Sequence, residues 1–136
     1  MKIYAIAYIA TLLAFACIDF VWLGRMADVI YRPAMGNMIL DRFRLAPAVI
    51  FYLIYPLGVV YLAVRPALSN GDWTTAALNG AVLGFIAYGT YDLTNQATLK
   101  SWTTLLTCAD WAWGIVLTAA SAAIAYLITA ALSKGL

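Results

Sequence analysis

The sequence predicts an all-α integral membrane protein, a four-helix transmembrane bundle with an irregular or re-entrant first loop. Three observations carry that prediction. Of the 136 residues, 65% are hydrophobic and 10% charged, whereas soluble domains carry roughly 25% charged residues. The apolar residues gather into four runs, each long enough for a hydrocarbon core of about 30 Å, which takes about 20 helical residues to cross. The charges fall between these runs with three exceptions, Asp19, Asp92 and Asp110.

The first run is Ile3–Leu23. It follows a lysine, as a cleavable leader does. It is nevertheless longer than the apolar stretch of such leaders, holds Asp19, and lacks a small-x-small cleavage site, so it is expected to stay as the first spanning helix. The loop Gly24–Arg44 is mostly apolar over Met26–Leu40, with Asp28, Arg32, Pro33, Gly36 and Asn37 interrupting. Arg32-Pro33 argues against one continuous helix there, and an interfacial or re-entrant segment with arginines at headgroup level is expected.

The second span, Leu45–Val64, is bracketed by Arg44 and Arg65 with no charge between them. Pro47 sits near its start, where proline is tolerated, and Pro56 should kink it. Ser69-Asn70-Gly71-Asp72 reads as a tight turn. Trp73–Asn95 is the third span, with Gly80 and Gly84 spaced for close helix packing. Thr104–Leu132 is the fourth. Nothing remains for a second domain, so residues 1–136 are read as a single membrane domain.

A net charge of +2 is too small to imply nucleic acid, and the arginines read as topology signals. Cys17 and Cys108 both fall inside spans and are expected to be buried free thiols. With no histidine and two cysteines, a zinc or haem site is not expected. No cofactor is expected either, and the spans contain no lysine for a retinal Schiff base. An oxygen-ligand site for Mg²⁺ or Na⁺ stays open.

Four spans put both termini on one side. Arg25, Arg32, Arg42, Arg44 and Lys100 lie on the side of loops one and three, against Lys2, Arg65 and Lys134 opposite. The positive-inside rule then favours cytoplasmic first and third loops. The expected location is a bacterial inner membrane.

The three aspartates are the candidate site. A carboxylate at membrane depth costs about 2.5–3.5 kcal/mol on insertion scales, so it turns to the bundle interior and marks function. Asp19 precedes Arg25 by about 9 Å of helix, and Asp92 precedes Lys100 by about 12 Å. Asp110 enters from the same third loop. Because the helices alternate in direction, all three fall in the half facing loops one and three. Each lies on a stripe at helical spacing: Tyr8, Leu12, Phe15, Asp19 and Trp22; Ala77, Ala81, Gly84, Tyr88, Asp92 and Asn95; Thr107, Asp110, Gly114, Leu117 and Ser121. Converging stripes predict a cavity with acid and amide groups at its mouth and rings on its walls. Its binding residues are Asp19, Tyr88, Tyr91, Asp92, Asn95, Asp110, Trp111 and Trp113. Trp22, Trp73 and Trp102 lie near span ends and read as interfacial belt residues. The bland alternative is a polar cluster that only holds the helices in register, paired with Arg25, Lys100, Asn95 or tyrosine hydroxyls.

Cys17-Ile18-Asp19-Phe20-Val21-Trp22 and Cys108-Ala109-Asp110-Trp111-Ala112-Trp113 share Cys-x-Asp-aromatic-x-Trp. In a composition this biased, a six-residue match has little weight by itself. More distinctive is Tyr91-Asp92-Leu93-Thr94-Asn95-Gln96-Ala97-Thr98-Leu99-Lys100, an oddly polar end for a span. With Tyr-Arg-Pro-Ala-Met at Tyr31–Met35, it resembles a family of small bacterial four-span membrane proteins known by a domain of unknown function. The resemblance covers the whole chain. It implies the architecture and adds weight to Asp92 and Asn95, but brings no activity.

The function expected from these residues is binding or transport of a small amphiphile or cation, proton-coupled through the carboxyl groups. The expected partners are the lipid bilayer, that ligand and a second copy of the chain, since four spans are few for a complete pathway. An alternative is a membrane-embedded enzyme using Asp as general acid on a lipid or isoprenoid. A third reading is an accessory subunit of a membrane complex.

Overall fold

The computed structural model describes residues 2–40, 42 and 44–133; Lys134, counted above for sidedness, lies outside them. The described residues form four long helical runs and no strand. The first is α1 (Lys2–Met26), continued by a π turn at Ala27–Tyr31, a short α2 (Arg32–Met35) and a 3₁₀ turn at Gly36–Met38. The second is α3 (Leu45–Val59), a π turn at Val60–Val64 and α4 (Arg65–Asn70). The third is α5 (Trp73–Thr98) and the fourth α6 (Thr104–Ser133). By length and composition the first, second and fourth are apolar enough to cross a membrane. The third is as long, but Asn79, Asp92, Asn95, Gln96 and a series of threonines lower its apolarity.

The first loop is irregular, though in a different way from the one expected. Arg32-Pro33 does not end the helix; the chain stays helical through it by widening one turn. The same device recurs at Arg65-Pro66, again directly after a five-residue π turn. The reason is steric. A proline ring collides with the carbonyl four residues back and offers no N–H, and a π turn shifts the hydrogen-bonding partner by one residue. Each proline then stands in the first turn of a fresh α segment, where its missing donor is not needed.

The ends of the hairpins follow ordinary chemistry. Gly71 takes the left-handed conformation (φ 71°) that closes α4. Asp72 caps α5 by accepting from the Thr74 N–H at 2.9 Å and from the Thr74 hydroxyl. These bonds, the hydroxyl's foremost, hold the Asp72 carboxyl below the usual carboxylate range. At the start of α6 the Thr103 hydroxyl accepts from the Leu106 N–H at 3.1 Å, and Gln96 donates to Thr104 across the α5–α6 turn.

The bundle has two unlike halves. Toward the termini the core is built of small side chains: Ala7, Ala10, Val59, Ala63, Val64, Ala67, Ala76, Ala122 and Ala125 pack together, and the buried hydroxyls of Thr11, Thr118 and Thr129 bond back to their own helices. α5 and α6 approach so closely that a Cβ on Gly80 would sit 2.8 Å from the Thr118 carbonyl oxygen, and one on Gly84 2.4 Å from that of Gly114. The Gly-x-x-x-Gly pair therefore serves packing. Toward loops one and three the interior turns aromatic and acidic. Phe15, fully buried, marks the change, with Phe51, Tyr52 and Tyr55 of α3 around it at centroid distances of 5.2–6.0 Å. Both cysteines are free, but exposed on the outside of the bundle rather than buried, because they lie off the stripes that carry Asp19 and Asp110.

Candidate functional site: a buried carboxyl cluster

α1, α5 and α6 each bring one aspartate to the loop half of the interior. Asp19 is 7% exposed, Asp92 fully buried, and Asp110 half-buried. Each has different company. Asp19 accepts two hydrogen bonds, from the Tyr52 hydroxyl at 2.5 Å and from the Trp113 indole N–H at 3.1 Å. Asp110 accepts from the Tyr31 hydroxyl, whose oxygen accepts the Trp22 indole N–H at 3.0 Å. Asp92 receives nothing: both its oxygens are shielded from solvent and lack a donor. The antiparallel register of α5 on α6, Gly84 on Gly114 and Gly89 on Trp111, brings Asp92 within one helical turn of Asp110, another carboxyl group.

No lysine or arginine pairs with any of the three among the described residues. The ion pair found there joins Arg32 to Asp28 at 2.8 Å, on the exposed face of the first loop. Nor do the described residues include a group of three acidic, histidine or cysteine side chains placed to hold a metal ion. The cluster is thus rich in acceptors and supplied by neutral donors.

Two of the rings expected to wall a cavity pack against their neighbours. Trp113 lies against Trp22, centroids 4.2 Å apart and planes 6° from parallel. Tyr88 covers Gly114, where a Cβ would meet its ring at 2.0 Å, and its hydroxyl lies near Asp19, Asp110, Tyr52 and Tyr55. Tyr55 reaches Thr118 at 2.9 Å. An open groove does run along the outside of α3, lined by Ala46, Pro47, Ile50, Phe51, Ile54 and Tyr55. Tyr55 belongs to both groove and cluster.

Of the eight predicted site residues, Asp19, Tyr88, Asp92, Asp110 and Trp113 come together. Trp111 does not face the acids; it clamps α5 to α6, donating to the Phe85 carbonyl at 2.8 Å and lying against Gly89. Tyr91 is 55% exposed and meets Trp102 edge-on at 5.7 Å. Asn95 is half-buried, and its carbonyl accepts the Leu99 N–H that ends α5. Trp102 is not a belt residue: it is buried and donates to Thr107 at 3.0 Å.

Three members of the cluster lie outside the predicted set. Trp22 belonged to the stripe of Asp19 but was read as a belt residue. Tyr31 lies in the distinctive Tyr-Arg-Pro-Ala-Met run, in the expected first loop beyond the first span and just before a proline expected to break the helix. Tyr52 sits in the span with no charge, where its hydroxyl was the sole local signal.

Residues 4–127 match the model of a family described as "Predicted membrane protein (DUF2177)", and the chain belongs to that family. Comparison with curated proteins and with solved structures gives no match.

Proposed function

We propose that this DUF2177 member binds a small cationic amphiphile in the membrane and exchanges it with a proton at the carboxyl cluster. One observation carries the reading: three aspartates converge in an apolar interior, and no cationic side chain among the described residues neutralises them. Such an arrangement favours a positive guest. Neighbouring tyrosine and tryptophan faces suit an ammonium group. The groove along α3 offers a place for an apolar tail beside the cluster, with Tyr55 common to both. The close-packed alanine-valine half supports access from one side only, that of loops one and three, which we take as cytoplasmic in a bacterial inner membrane. A second copy of the chain is the proposed partner.

The test is binding of dodecyltrimethylammonium to the purified protein, with dodecyl sulfate as control. Saturable binding of the cation alone, weakened at least tenfold in Asp110→Asn, supports the reading. Equal binding of both amphiphiles, or an unaffected Asp110→Asn, rejects it.

A further inference from the structure

The three carboxyl groups are not equivalent, and the difference identifies where a proton resides. Asp19 has two donors and Asp110 one, at the end of the chain Trp22 to Tyr31 to Asp110. Each is served by hydroxyl or indole donors. Asp92 is fully buried with neither oxygen served. A buried carboxylate without a partner is among the costliest groups a protein can hold, and it avoids that cost by taking up a proton. A neutral carboxylic acid has different needs, namely one acceptor for its O–H. The group facing Asp92 is such an acceptor.

We propose that Asp92 is a carboxylic acid in the ligand-free protein and donates its O–H to the Asp110 carboxylate, so that the two share a single proton. This satisfies the one orphan in the cluster and gives Asp110 a second donor beside Tyr31. Two carboxylates at contact range do not both stay ionised. The titratable groups beside the pair are Asp19 and Tyr31 from the first helical run and Tyr88 from α5, with Tyr52 bonded to Asp19 and Tyr91 turned outward. None is cationic, so nothing but the proton compensates the pair. Tyr31 acts as a positioning residue: it occupies one Asp110 oxygen and orients the carboxylate toward Asp92. It stands at the end of a π turn, between exposed Val29 and the surface pair Asp28–Arg32, which places the shared proton one hydrogen bond from the first loop. Displacement of this proton to solvent by an arriving cation, which then compensates the carboxylate, rests on the function proposed above; the protonation state itself does not.

Infrared spectroscopy of the lipid-reconstituted protein at neutral pH tests it. The wild type should show the carbonyl stretch of a protonated carboxylic acid, shifted when the protein is made with carboxyl-¹³C aspartate. The band should vanish in Asp92→Asn, persist in Asp19→Asn, and move without vanishing in Tyr31→Phe. Absence of the band from the wild type, or its persistence in Asp92→Asn, overturns the assignment. If Asp92→Asn does not fold, the isotope-edited wild type and Tyr31→Phe still decide. Saturation with dodecyltrimethylammonium should abolish the band. A band that survives saturation overturns proton exchange while leaving Asp92 protonated at rest.

Discussion

Trp22 of α1 lies flat on Trp113 of α6, and each indole N–H is committed to the carboxyl group of the opposite helix. Trp113 donates to Asp19 directly, and Trp22 reaches Asp110 through the Tyr31 hydroxyl. The two Cys-x-Asp-aromatic-x-Trp segments therefore meet at the α1–α6 interface with their tryptophans stacked and their donors exchanged. The stack fixes both rings, and the fixed rings aim the donors. Replacing Trp113 by Phe keeps most of the ring but leaves a buried Asp19 oxygen without its donor, at about 1–3 kcal/mol. Thermal unfolding in detergent should show a loss of that order, and an unchanged midpoint would mean that the bond is idle.

Asp92→Asn should fold and insert, because an amide keeps the shape of the acid and can donate to Asp110 as the acid does. It cannot release a proton. Binding of dodecyltrimethylammonium should therefore lose its pH dependence and weaken at least tenfold, while the unfolding midpoint stays near the wild type. Wild-type binding across pH would return Asp92 to a structural role. Asp19→Ala, in contrast, should lower the unfolding midpoint. It strands the Tyr52 and Trp113 donors at a buried site, at about 1–3 kcal/mol.

Gly84→Ala is expected to destabilise by about 1–3 kcal/mol, since the added carbon meets the Gly114 backbone and neither helix can yield locally. Gly24→Ala is the control. Nothing lies within 4 Å of a Cβ there, and alanine favours the helix. Equal effects at the two positions would refute close approach of α5 and α6.

Asp72 gives a pH signature from outside the spans. Its folded carboxyl is held below the ordinary range by Thr74, so its contribution to stability is present above the ordinary carboxylate range and disappears as pH falls through the lowered folded value. Asp72→Ala should have a lower unfolding midpoint at neutral pH, and the gap to wild type should close on acidification. A gap constant with pH would exclude the cap.

Composition and the lengths of the apolar runs were enough to decide the class of fold, because a hydrocarbon core demands helices of known length with every backbone group paired internally. Helix alternation was enough to put the three aspartates in one half, and the helical period drew stripes through buried Phe15, Asp19 and Asp92, although the buried face of α5 starts at Ala76 and Gly80 rather than Ala77 and Ala81. These are consequences of covalent geometry and solvent, and they need no tertiary detail. What the stripes could not say is how they meet. The rotation of α5 about its axis sends Tyr91 outward while Asp92 goes in. The stacking of Trp22 on Trp113 turns an expected cavity wall into a contact between α1 and α6. A widened turn before Arg32-Pro33 carries Tyr31 back to Asp110 across 79 residues of sequence. Donor counts at each carboxyl depend on contacts between chain-distant side chains, and one-dimensional spacing does not encode them. Only the packed bundle distinguishes Asp92, with no donor, from Asp19, with two. The physical reason is that a buried polar group's chemistry is set by the few atoms within hydrogen-bonding reach, and those atoms arrive from other helices.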